Sequence, residues 1–166
     1  MHSRSSALSS LPPTHEESDP LSAVISLLRP QTVLSKVVSG AGSWSVRYAA
    51  YEEPGFCLVL DGSCFLDVDG VGPIEIREGD FVLLPATPGF TLASDLGVKP
   101  TLVTPTHVSE LRHGTKSGPP TMRMLGGYFR FDRANARLLV SLLPSIIHIR
   151  RGEPGAARVS RLAELI

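Results

Sequence analysis

The chain is short of cysteine, of aromatics and of any surplus of charge. Cys57 and Cys64 are its two cysteines in 166 residues. Two are too few for a disulfide framework, and both stand in apolar, strand-like surroundings that suit free thiols in a reducing compartment. Sixteen Lys and Arg balance sixteen Asp and Glu, a formal net charge of zero. That removes the basic excess by which proteins hold a phosphate backbone, so this segment alone is not expected to bind DNA. Met1–Ser18 is rich in Ser and Pro and has no apolar core. The expectation is a disordered start that is neither a signal peptide nor a membrane span, with the cytoplasm as default location.

Reactive constellations are also missing. There is no G-x-S-x-G elbow, no Gly-rich phosphate loop and no carboxylate pair on one strand face. The five histidines, His2, His15, His107, His113 and His148, share no H-x-H or H-x-x-x-H spacing of the kind that grips a metal. His107 and His113 flank a loop, where solvated rings are expected. No catalytic residue, metal or cofactor is therefore assigned. Hydrophobic residues at 42% and charged residues at 19% nevertheless suit one globular domain with a sizeable core.

What is present is a succession of short strands. Asp19-Pro20 reads as a helix N-cap with proline at the first helical position, and Leu21, Val24, Ile25 and Leu28 form one apolar stripe before Arg29-Pro30. From Thr32 to about Val108 the period becomes two, broken every eight to twelve residues by Gly, Pro, Asp or Ser. Strands are expected at Val33–Val38, Trp44–Ala50, Phe56–Leu60, Ser63–Val68, Ile74–Arg77, Phe81–Leu84, Phe90–Leu92 and Thr101–Val108. Asp61-Gly62, Val71-Gly72-Pro73 and Glu78-Gly79-Asp80 read as reversals. A further strand, Met122 to Phe131, precedes a helix from Ala134 that carries Leu138, Leu139, Leu142 and Leu143 and stops at Pro144. Val159, Leu162 and Ile166 mark a last stripe, expected to continue as a linker helix. The fold class is mainly β, a jelly roll or barrel with flanking α-helices.

Gly79-Asp80-Phe81-Val82-Leu83-Leu84-Pro85, with Phe90 five positions on, resembles the second half of a cupin barrel motif. The resemblance implies three histidines and a glutamate around a metal. Their places fall near Ala49 and Tyr51, or one residue earlier with a longer loop, on Gly55 and on Phe90, none of them a histidine or glutamate. If position 55 faces inward, so do Cys57 and Val59, with Arg47, Ala49 and Tyr51 on the preceding strand and Phe90 and Leu92 opposite. In that register Arg47, Tyr51, Cys57, Val59, Phe90 and Leu92 are the candidate ligand-binding residues, and the guanidinium suits a carboxylate or other anion. With the register one residue off, Arg47 points to solvent and Trp44, Val46 and Tyr48 line the inside. Both registers stand on the sequence. Cys57 is expected to be a packed, unreactive thiol.

Four segments, Phe56 to Gly62, Gly79 to Pro85, Leu125 to Asp132 and Leu142 to His148, resemble in their order the N-terminal cupin domain of AraC-type bacterial transcription regulators. The likeness covers most of Asp19 to Ile166. Many relatives carry histidine at the places of Cys57 and Phe90, so this interior is more apolar. The family implies a small-molecule effector, a homodimer, and DNA contact through two C-terminal helix-turn-helix units that this chain lacks. On that reading residues 1–18 are disordered, 19–152 form the cupin-like domain and 153–166 begin a linker helix. Leu138, Leu139, Leu142 and Leu143 then either make the dimer contact or pack on the domain's own sheet. The competing readings are a metal-dependent cupin enzyme and a purely structural dimerisation module with a filled barrel.

Overall fold

The computed structural model describes residues 31–130, 137–138 and 140–157. The described residues include ten strands: β1 (Gln31–Ala41), β2 (Ser45–Tyr48), β3 (Gly55–Val68), β4 (Gly72–Arg77), β5 (Phe81–Leu84), β6 (Phe90–Ala93), β7 (Thr101–Val103), β8 (Glu110–Gly114), β9 (Met122–Arg130) and β10 (Ile147–Ile149). They form one sheet of order β7-β2-β6-β3-β9-β1-β8, with β4 and β5 also paired to β3 and with β10 paired to β5. Pairing is antiparallel except for β1 with β8 and β2 with β7. The sheet curls into a half-barrel whose inner face carries Val38, Trp44, Val46, Tyr48, Leu66, Val82, Leu92 and Met124, all buried.

The long strand β3 organises this curl. Its first part, from Gly55, lies between β5 and β9, and its last part, Ser63–Val68, lies between β4 and β6. The Asp61-Gly62 hairpin expected from the sequence is therefore not a reversal. The chain runs straight through it, with an irregularity in the β3–β9 register between Val59 and Asp61. Gly62 has φ +72°, and a Cβ there would run into the Thr121 carbonyl oxygen. Asp-Gly serves here as the kink of a bulged strand, for which a left-handed glycine is as suitable as for a turn. The reversal at Glu78-Gly79-Asp80 does separate β4 from β5, whereas that read at Val71-Gly72-Pro73 falls at residues 69–71, with Gly72 and Pro73 already in β4 and paired with Val68 and Asp67. The run Thr101–Val108 is a strand only to Val103, and β8 and β10 were not anticipated.

The helix expected at Asp19–Arg29 and the stripe from Val159 lie outside the described residues, as does Leu139. Of the helix expected from Ala134, residues 137–138 and 140–141 are described and are helical, and no complete flanking helix lies among the described residues. Leu138 and Leu142 are exposed, while Leu143 is half-buried. No described helix is long and apolar enough to cross a membrane.

Asp80, buried just before β5, fastens the far edge of the sheet. Its carboxylate accepts hydrogen bonds from the backbone N–H of Arg77 and of Arg151, each at 3.1 Å, and is bonded to His148 Nε2 of β10 at 2.9 Å. Burial acts to raise this carboxyl, but the His148 and backbone hydrogen bonds outweigh it and hold the group below its ordinary 3.8. A depressed folded-state pKa gives stability that is present above 3.8 and lost as pH falls through the lower folded value. Asp80→Asn is thus expected to cost about 1–3 kcal/mol at neutral pH. Denaturant titrations between about pH 5 and pH 2 should then show a smaller acid-induced loss for the variant than for the wild type. Parallel curves would show that the carboxylate's charge is immaterial.

Candidate functional site

Alternation along the inner strands decides what the half-barrel encloses. On β1, Leu34, Lys36 and Val38 share a face, and on β9 Met124, Gly126 and Tyr128 do. Lys36 pairs with Gly126 and Gly126 with Cys57, while Cys57 pairs with Val82. These residues, together with Tyr48, Leu66, Leu84, Phe90 and Leu92, line a cavity of about 290 Å³. The Tyr48 and Phe90 rings stack with centroids 5.0 Å apart. Pro105, Thr106 and His107, from the connection between β7 and β8, complete one rim, and Tyr51, Glu53 and Gly55 contribute to another part of the wall. Such a size, apolar lining and sparse set of polar groups are those of a small-molecule site.

Of the candidates taken from the sequence, Tyr51, Cys57, Phe90 and Leu92 line this cavity. Val59 is buried in the adjoining core. Arg47 does not reach it. Its guanidinium makes a two-pronged pair with Asp69, at 2.9 and 2.6 Å, on the outer side of β2. The physical cause is the phase of β2: Val46 and Tyr48 are buried, and a side chain between them must point the other way. The carboxylate-binding role suggested for Arg47 has no geometric basis. Ala49 is likewise exposed.

The same geometry tests the metal set that cupins imply. Gly55 occupies the glutamate place, and a Cβ there would stand 2.8 Å from Tyr51 Oη and 2.9 Å from Thr87 Oγ1. That space is already filled. Thr87, fully buried and with φ +24°, accepts the Gly55 N–H at 2.7 Å and donates to the Glu53 carbonyl at 2.5 Å. Its carbonyl also accepts the Tyr51 N–H at 3.1 Å, so a strained, over-determined residue holds the tyrosine beside the spot where a carboxylate would sit. Phe90, at the third histidine place, offers no lone pair. The residues present do not fit a metal, and among the described residues no three His, Cys, Asp or Glu side chains gather to hold one.

Cys57 is a free thiol pushed up to about 12 by its burial, with the nearby Asp80 charge adding to the effect and a hydrogen bond with Val82 opposing it. Cys64, also free, is raised by burial too. Thiols so far from thiolate are poor nucleophiles. His113 corrects a second expectation, since it is buried in β8 rather than solvated and stacks on Trp44 with centroids 5.5 Å apart. Burial, with Lys116 and Lys36 nearby, lowers its pKa.

Tyr48 belongs to the alternative register, whereas Lys36, Gly126 and Tyr128 were not singled out from the sequence. The signal for Lys36 was available, because it is the lone charge in the run Val33-Leu34-Ser35-Lys36-Val37-Val38 and shares its alternation with Leu34 and Val38. A family model described as Cupin matches residues 19–166.

The chain belongs to the cupin family.

This cupin chain is 34% identical over 143 residues to a putative AraC-like transcription regulator of Streptomyces antibioticus, and equally to one of Streptomyces lividans. The match covers 85% of this chain and 47% of each relative, so the chain spans about half the length of the curated relatives it matches. Among solved structures it is similar to ToxT from Vibrio cholerae O395, with TM-score 0.46, 13% identity, and coverage of 81% of this chain and 45% of that one. YhaK from Escherichia coli gives TM-score 0.41 and 9% identity over 72% of this chain and 41% of that one.

Proposed function

We propose that this cupin domain is the effector-sensing and dimerising part of an AraC-type transcription regulator, not an enzyme. One observation carries the reading: a ready-made apolar cavity of about 290 Å³ in a chain 34% identical to putative AraC-like regulators. The chemistry of its lining supports recognition without transformation, since its one thiol is held fully protonated at neutral pH and its cupin ligand places hold side chains unsuited to a metal. DNA contact belongs to helix-turn-helix units elsewhere in the regulator, and the linker begins near residue 153. Closure of the half-barrel into a jelly roll with flanking helices, and a cytoplasmic location, are parts of the same reading.

The mechanism is a population shift, in which an effector favours one arrangement of barrel and linker over another and so changes how the DNA-binding units are presented. A homodimer through Leu138, Leu139, Leu142 and Leu143 completes it, supported by the apolar surface that Leu138 and Leu142 leave exposed. Joining two half-site contacts tightens both. A monomer in sedimentation equilibrium would remove that part.

Thermal denaturation against a panel of small organic acids, aromatics and aldehydes tests the sensing claim. A true ligand at about 100 times its Kd adds about 2.7 kcal/mol, which for a domain of this size raises Tm by about 5–10 °C. A flat response across the panel would leave the purely structural module as the better account.

A further inference from the structure

The cavity contains an imbalance that its apolar walls do not resolve. Lys36, half-buried on the inner face of β1, is an ammonium among aliphatic and aromatic neighbours. Its one hydrogen bond runs from Nζ to the Thr106 carbonyl at 3.3 Å, a long contact, and none of the described ion pairs includes it. An ammonium has three protons to donate, and a charge withdrawn from water without a partner is costly. Burial lowers its pKa accordingly.

The other titratable groups of the wall narrow what can meet it. Glu53 and His107 also border the cavity, and the protein's net charge is zero. One lysine facing a cavity that also bears a carboxylate is matched by a singly charged head, whereas a phosphate dianion would meet a single cation and the repulsion of Glu53. The remainder of the lining, Tyr48, Leu66, Val82, Leu84, Phe90 and Met124, has room only for an apolar body of modest size.

We propose that the cavity takes a small amphiphile with an apolar body and a carboxylate head, the head bound by Lys36 Nζ at the rim formed by Pro105, Thr106 and His107. This rests on the effector-sensing reading and specifies its ligand class. The head replaces the Thr106 carbonyl as the ammonium's principal acceptor, a charge-assisted bond in place of a neutral one. Binding therefore frees the Thr106 carbonyl from its tie to β1, so the rim is rearranged by the head and not by the body.

The test uses matched pairs with the same body, octanoate against octanol and phenylbutyrate against phenylbutanol, titrated calorimetrically into the full chain. The wild type is expected to prefer the acid by about tenfold or more, a difference of about 1.4 kcal/mol. Lys36→Met should bring the ratio of acid to alcohol affinity near unity and Lys36→Arg should retain the preference. Arg47→Met, on the outer side of β2, should keep the wild-type ratio. Should Lys36→Met fail to fold, Lys36→Gln carries the comparison. Equal affinities in the wild type, or a preference that survives in Lys36→Met, would overturn the carboxylate assignment while leaving the cavity a ligand site. Absence of binding by all four probes would overturn it too and count against ligand sensing as a whole.

Discussion

Gly127→Ala is expected to destabilise the domain by about 3–5 kcal/mol, close to the whole margin by which many domains stay folded. The added Cβ would collide with the Leu34 carbonyl oxygen and come within 2.9 Å of both Cε1 and Cζ of Phe56. Neither obstacle can yield cheaply. Leu34 belongs to the backbone of β1, paired with Tyr128 next to an existing register irregularity. The Phe56 ring is stacked between Phe129, at a centroid distance of 4.4 Å, and Phe81, at 6.4 Å. Relief requires β9 to move, and β9 is hydrogen-bonded along its length to both β1 and β3. Overpacking against fixed neighbours is penalised for this reason. Chemical denaturation measures it directly, and a loss below about 1 kcal/mol would contradict the crowding described.

One residue earlier, the same strand should tolerate a far larger side chain. Gly126→Leu is expected to keep the fold and to weaken binding of any cavity ligand by at least about tenfold, or about 1.4 kcal/mol. A Cβ at position 126 would make only ordinary contacts, 3.9 Å to the Phe56 carbonyl oxygen and 3.9 Å to Val38 Cγ2. The Gly126 φ is not positive, so an L-residue is compatible with the backbone. The leucine would project into the cavity between Lys36 and Cys57, its cross-strand partners, and occupy the space that a ligand needs. Thermal unfolding and calorimetric titration of one sample give both readouts. Unchanged affinity in a folded Gly126→Leu protein would place the bound molecule somewhere other than this cavity.

These adjacent glycines illustrate what could be read from the sequence. The alternation of β9 is visible in Met122–Arg130, yet nothing in Gly126-Gly127 states which glycine has room for a side chain and which is crowded by its neighbours. β5 was delimited correctly as Phe81–Leu84 because a left-handed Gly79 and Pro85 bracket it, and those residues act through local backbone geometry. The mainly β class followed from the same punctuation. Arg47 was legible only to within one residue of phase, since a strand with buried Val46 and Tyr48 reads equally well either way round until its partner strands are known. The Asp61-Gly62 error has a similar origin, as a bulge and a turn call for the same residues. Lys36 escaped notice because a single charge in a strand usually signals the solvent face, and only the curl of the sheet makes that side the interior. β8, Glu110-Leu111-Arg112-His113-Gly114, has too polar a pattern to announce itself, and its pairing is a parallel one with distant β1.

The position of β5 has one more consequence. Val82 and Leu84 line the cavity, while the backbone of Phe81, Val82 and Leu83 is zipped to Ile149, His148 and Ile147, directly ahead of residues 150–157. A molecule pressing on those two side chains therefore leans on the strand to which the departing polypeptide is hinged. One short piece of wall is thus shared by the cavity and by the strand that anchors residues 150–157.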